Sequence, residues 1–189
     1  WWAWDAFMST DYRRELALDI GTWNAGGALY PDWKERNFRI EPIWRPNDHF
    51  RISHVYSHQD KFNERGWSAL VDSLPSGAAL GETQSLWAKR NNYSRTHVLN
   101  ASYVLDNRKG ITFRLRHYWS RVENGAFYFL DDNGLLEPTD EITLDDDGSS
   151  SYDISYNAWS IDCVFRWIFA PGSEVSVVWK NLLESQGDM

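Results

Sequence analysis

The sequence holds a single cysteine, Cys163, which excludes an internal disulfide framework. No apolar run approaches the roughly 18 residues that a membrane helix needs. Helical periodicity is absent too; only 66–74 offers a short helix, inside a loop. Basic residues do not cluster with interleaved aromatics, and the formal charge is −8, which argues against a nucleic-acid partner. No basic stretch leading into an apolar segment marks a signal peptide. The chain opens on Trp1-Trp2 without an initiator Met, and it reads as a window on a longer protein. The histidines His49, His54, His58, His97 and His117 show no metal-ligand spacing. His54 and His58 lie four apart on an expected strand, about 13 Å by strand rise, too far to share a metal.

What the chain has in excess is aromatic. It carries 12 Trp, 9 Tyr and 9 Phe in 189 residues, yet only 42% of it is hydrophobic. So much aromatic surface with so little mean hydropathy (−0.57) means that apolar residues are spread thinly, by alternation. The length suffices for one domain with a sizeable core.

The alternation is explicit. Ile161, Cys163, Phe165, Trp167 and Phe169 interleave with Ser160, Asp162, Val164 and Arg166. Ile111, Phe113, Leu115, His117 and Trp119 interleave with Thr112, Arg114, Arg116 and Tyr118. The same period runs through Val175, Val177 and Trp179, through Leu99, Ala101, Tyr103 and Leu105, and through Phe38, Ile40, Pro42 and Trp44. It recurs in Phe50, Ile52, His54 and Tyr56, in Leu16, Leu18 and Ile20, and less cleanly in Trp2, Trp4, Ala6 and Met8. Period two over such lengths predicts eight strands.

Two kinds of connection separate them. Turn-forming residues at Thr10-Asp11-Tyr12, Pro46-Asn47-Asp48, Asn107-Arg108-Lys109 and Pro171-Gly172-Ser173 predict tight, three-residue turns. These would set Ala6 opposite Leu16, Trp44 opposite Phe50, Leu105 opposite Ile111 and Phe169 opposite Val175. Longer polar connections are expected at about 24–36, 58–95 and 123–152. Short turns alternating with long loops, joining strands of about 9–11 residues, are the signature of an outer-membrane barrel. Lipid then takes the apolar face and the lumen the charged one. A soluble β-sandwich or lipocalin-like ligand binder is the competing reading, with the apolar face inward. Aromatics near strand ends and arginines mid-strand on the polar face favour the barrel. Pro42 removes a ladder N–H, and a local bulge is expected there.

"FRLRHYWS" (113–120) and "FAPGSEVSVVWKN" (169–181), with "STDYRRE" near the start and "YNAWSIDCVFRW" near the end, resemble the C-terminal barrel of an uncharacterised family of Gram-negative outer-membrane proteins. Those proteins carry an N-terminal domain similar to family-9 carbohydrate-binding modules, followed by a large domain of unknown function. The resemblance covers most of the chain. It implies an integral outer-membrane barrel in contact with lipid, handling surface glycan or serving within an envelope complex. It implies no catalytic residue. The chain departs where the family continues to a last strand, ending instead on "LLESQGDM".

Chemistry is sparse. An outer-membrane enzyme would need Ser or Asp beside a rim His; the nearest pair, His117 and Ser120, falls on opposite faces by alternation. No enzymatic role and no cofactor are therefore expected. The acidic stretch 131–153 contains Asp145, Asp146 and Asp147, carboxylates of the kind a calcium ion takes, but without EF-hand spacing, so a solvated loop is expected. Cys163 falls on the apolar face as a small hydrophobe. The lumen-facing charges are Arg39, Glu41, Arg51, Arg114, Arg116, Asp162, Arg166, Glu174 and Lys180, which either line a polar passage or fill the lumen as a mixed-charge network. With the tight turns on the periplasmic side, both ends of 1–189 fall outside. Residues 1–189 are then the C-terminal part of a larger barrel, and at least one strand is expected before Trp1 and one after Met189.

Overall fold

The computed structural model describes residues 1–27, 30–74, 76–146 and 148–187. They form an all-β antiparallel sheet of nine strands, with no helix among the described residues. The strands are β1 (Trp2–Ser9), β2 (Leu16–Gly26), β3 (Lys34–Asn47), β4 (Phe50–Ser73), β5 (Ala79–Asp106), β6 (Lys109–Leu130), β7 (Leu136–Thr139), β8 (Ile154–Ala170) and β9 (Ser173–Gly187). The order is a plain meander, β1 to β6 and then β8 and β9, with the four-residue β7 paired to the outer end of β6. The sheet is open: β1 and β9 each have one partner.

Pairing confirms the parity of every long strand. One row across the sheet reads Leu16, Trp44, Ile52, Ala101, Phe113, Cys163, Trp179. The row beside it, on the opposite face, reads Ala17, Ile43, Ser53, Asn100, Arg114, Asp162, Lys180. One face is apolar and aromatic over its whole width; the other is small and polar with charges.

The two faces differ in exposure, and in an unexpected sense for a soluble protein. Val177 is 58% exposed, Trp179 54% and Trp44 48%, all on the apolar face. Ala17 (1%) and Ile43 (3%) are buried on the polar one. Among the described residues strands pack against their sheet neighbours, and outside the part covered by the connection between β7 and β8 no second layer lies on either face. A small side chain in a single layer is hidden only where the sheet curls over it, so the polar face is the concave one.

The turns follow the expected residues but not the expected length. Three of them are two-residue turns, Asp48-His49, Asn107-Arg108 and Pro171-Gly172, closed by the pairs Asn47–Phe50, Asp106–Lys109 and Ala170–Ser173. Each adjoins a register shift in the strand that precedes it. The register therefore moves by an even number of residues. Ile52 faces Trp44, Tyr103 faces Ile111 and Trp167 faces Val175, where three-residue turns would have set Phe50, Leu105 and Phe169. The first connection is longer, and Ala6 faces Thr22 instead of Leu16. Asn47 Oδ1 accepts the N–H groups of His49 and Phe50 at 2.9 Å, and Asp106 Oδ1 that of Arg108 at 2.8 Å, which is why short acidic and amide residues sit there. Gly172, at φ 74°, supplies the left-handed residue that the last turn needs.

Three other expectations are corrected. Residues 58–95 are not a loop: β4 and β5 run on as a hairpin as far as Ser73 and Ala79, and 66–74 forms strand through Ser73 instead of a helix. Register shifts at Lys61/Glu64, Trp67/Ala69 and Val71/Ser73, with Asn63 at φ 56°, break the period of two there. The other long connections also shrink, because β2 and β3 extend to Gly26 and Lys34 and β6 to Leu130. At Pro42 there is no bulge. Pairing with β4 stops after Ile40–Tyr56 and resumes at Ile43–Ser53 in the same register, so the missing N–H is absorbed as a gap in the ladder.

The far half of the β4–β5 hairpin, here called the outer hairpin, contributes Val71, Leu86 and Ala88 to a hydrophobic cluster completed by Phe127 and Ile142 and flanked by Tyr152. Strand β5 has no bulge of its own from Leu86 to Tyr103, so Leu86 and Ala88 share the face of Asn100 and Ser102. The segment 131–153 thus folds over the concave side of the outer hairpin. It is tied there by Asp153, whose carboxylate accepts Asn124 N–H at 2.7 Å, Asn124 Nδ2 at 3.1 Å and Ser150 N–H at 3.2 Å.

Candidate functional site

Alternation brings all nine of the charged residues named above onto the concave face: Arg39 and Glu41 on β3, Arg51 on β4, Arg114 and Arg116 on β6, Asp162 and Arg166 on β8, Glu174 and Lys180 on β9. They divide into paired and unpaired groups. Arg39 Nη2 lies 2.6 Å from Glu41 Oε2, Arg166 Nη2 2.5 Å from Glu174 Oε2, and Lys180 Nζ 3.9 Å from Asp162 Oδ1. Arg51, Arg114 and Arg116 make no ion pair or side-chain hydrogen bond among the described residues. Arg114 stands opposite Asp162 in the ladder, yet that carboxylate turns to Lys180. Asp19, also on this face, is taken up by Ser9 (2.7 Å) and Tyr12 (2.5 Å).

A groove of about 460 Å³ crosses the middle of this face, from Glu41 and Arg51 past Ser53, Asn100 and Ser102 to Arg114 and Asp162. Nearer the outer end a second, of about 510 Å³, lies between Asp5, Trp23, Arg39, Gln59 and Tyr118. Hydroxyls, amides and guanidiniums line both; nucleophile–base pairs do not.

The apolar face has borders. On the turn side it ends in Trp44, Phe50, Tyr103 and Trp167; Trp44 and Phe50 meet edge-on at 6.1 Å. On the far side it ends in Phe38, Tyr56, Trp119 and Trp159. Beyond them on the same parity stand Arg36, Arg95 and Arg121, and on the neighbouring strands His58 followed by Asp60, and Asn157. Arg95 Nη1 and His58 Nε2 both reach Asp60, at 2.7 and 2.8 Å.

A histidine ladder runs along that far border, and the sequence reading missed it. His54 Nε2 lies 3.1 Å from His97 Nδ1, His97 and His117 stack at 5.9 Å, and His117 stacks on Trp159 at 4.0 Å. His117 Nε2–H donates to Asn157 Oδ1 at 2.9 Å. These residues come from three different hairpin arms, so no spacing in the sequence announces them. Among the described residues no group of three or more histidine, cysteine or acidic side chains is placed to hold a metal. Asp145 and Asp146 are exposed, and Asp147 lies outside the described residues.

Beyond the border Asp32 ties the residues that lead into β3 to β4 and β5. Its carboxylate takes Lys89 at 2.7 Å and Arg65 at 2.8 Å, and Arg65 lies over the Tyr30 ring at 4.5 Å. The ammonium of Lys89, then the guanidinium of Arg65, hold the Asp32 pKa down to about 2.

No curated protein and no solved structure matches the chain. The chain belongs to the family described as Domain of unknown function (DUF5916), which it matches over residues 1–189.

Proposed function

We propose that this chain is a sector of an antiparallel transmembrane β-barrel in a bacterial outer membrane. Lipid covers the apolar face, and the concave face lines a lumen that serves as a polar passage. The observation that carries the reading is the inversion of exposure: large aromatic and aliphatic side chains stand on the open convex face while alanines are hidden on the polar one. In water that arrangement leaves an apolar patch far larger than a soluble monomer tolerates. In lipid it is the stable one, and the paired ladders satisfy the backbone.

The dimensions agree. From Ile111 to Trp119 the apolar side of β6 covers about 26 Å at about 3.3 Å per residue, against an apolar band of about 25 Å in outer-membrane barrels. Aromatics at both borders and charges beyond the far one match the two interfaces. The open edges of β1 and β9 call for further strands, since an unpaired ladder edge is costly in lipid. The reading assigns no enzymatic step. Surface glycan or other envelope proteins are the partners that the family resemblance suggests.

The test is protease shaving of intact cells. Proteinase K should cut between Ser73 and Ala79 or within 131–153 and spare the turns at Asn107-Arg108 and Pro171-Gly172. Cleavage only after the outer membrane is permeabilised would place these segments inside and reject the topology.

A further inference from the structure

We infer that the groove crossing the concave face between β3 and β8 is an oxyanion site, so that the passage favours solutes bearing carboxylate, phosphate or sulfate groups. The inference rests on the reading of that face as a lumen.

The charge distribution argues for it. Glu41, Arg51, Arg114 and Asp162 line the groove. Both carboxylates already have cations, Glu41 with Arg39 at 2.6 Å and Asp162 with Lys180 at 3.9 Å. The two guanidiniums have no partner among the described residues, so the groove presents two free forks of N–H donors and no free acid. A guanidinium binds two oxygens of one planar or tetrahedral anion at once. Ser102 lies directly opposite Arg51, and Asn100 opposite Arg114, so each fork has a neutral hydrogen-bonding group beside it. Arg116, two residues beyond Arg114 on the same face and likewise unpaired, continues the track outward. The volume of about 460 Å³ falls in the roughly 300–1,000 Å³ range of small-molecule sites. Net charge cannot be the source of such a preference, because the chain carries −8. The preference comes from local pairing: the two carboxylates that line the groove are each beside a cation, while Arg51 and Arg114, with Arg116 next to them, are left over.

Two measurements on the full-length gene product decide it. The first is the reversal potential of the protein in a planar lipid bilayer under a KCl gradient. Chloride preference is expected, reduced in the Arg51→Gln, Arg114→Gln, Arg116→Gln triple variant and kept in Arg121→Gln, whose side chain has the parity of the opposite face. The second is calorimetric titration of the detergent-solubilised protein with pyrophosphate. Binding should weaken by about tenfold or more in Arg51→Gln, Arg114→Gln. The double lysine variant, which keeps charge and loses the fork, should retain chloride preference but bind pyrophosphate less tightly. Arginine-dependent pyrophosphate binding without any conductance would sustain the anion site and sink the passage. Conductance with no chloride preference, together with pyrophosphate binding that ignores these arginines, would overturn the inference and leave the passage standing.

Discussion

At the scale of single residues, neighbours in sequence have opposite surroundings. Phe165 sits in the apolar row with Ile111 and Val177, whereas its neighbour Arg166 stands on the concave face beside Glu174, and Arg116 on that same face has no partner among the described residues. On the proposed reading a charge at position 165 would meet lipid, with no counter-ion in reach. Phe165→Arg should therefore lower the stability of the reconstituted protein by about 2–4 kcal/mol if the site lies near the midplane. Arg116→Leu should cost much less, since it removes a solvated cation that pairs with nothing. Denaturant unfolding from lipid vesicles measures both, and equal costs would contradict the assignment of faces. Asp32 gives a pH prediction outside the spanning region. Its folded pKa, near 2, lies below the ordinary carboxylate value of about 3.9, so the contribution of its ion pairs is complete above about pH 4. It is lost as pH falls toward 2. Hydrogen exchange at the Trp33 amide, which donates to the Tyr30 carbonyl, should rise over that interval, and in Asp32→Asn it should be fast at every pH. A flat profile in the native protein would show that the Asp32 ion pairs do not hold these residues.

At the scale of elements, the long strands and the turn sites were legible in the sequence, because parity and turn chemistry are local. Two things were not. The register across each hairpin depends on whether the turn takes two residues with a bulge or three without, and both use the same residues. The far halves of β4 and β5 were hidden because the pairing shifts three times between Lys61 and Ser73, twice by a bulge in β4 and once by extra residues in β5. The nine concave-face charges could be read off by parity, but which of them pair could not, since Lys180 and Arg114 compete for Asp162 only after the strands are aligned. The histidine ladder escaped for the same reason, its members being 43 and 20 residues apart in the chain. The outer hairpin also yields a prediction. Leu86 is fully buried beneath Ile142 and its neighbours, and large-to-small changes at such sites cost about 2–5 kcal/mol. In Leu86→Ala the loss should be local: 131–153 should become more sensitive to protease while the heat stability of the membrane region stays the same. Unchanged proteolysis would mean that the cluster does not anchor the segment.

At the scale of the whole molecule, the central claim is that the exposed apolar face meets lipid and the concave polar face meets water. The sheet has the parts this demands: one face apolar between two aromatic borders, a ladder unbroken except at Pro42 and the bulges, and a concave face that carries charge, with Glu41, Glu174 and Asp162 each beside a cation. The most direct test is site-directed spin labelling of the full-length protein in lipid vesicles, one label at a time. Labels at Phe113, Leu115, Ile161 and Phe165 should collide with lipid-soluble oxygen, and labels at Arg114, Arg116, Asp162 and Arg166 with a water-soluble nickel chelate. Oxygen contact at the even positions and chelate contact at the odd ones, or no difference between them, would contradict the account and return the sheet to a soluble fold with its apolar face covered by protein.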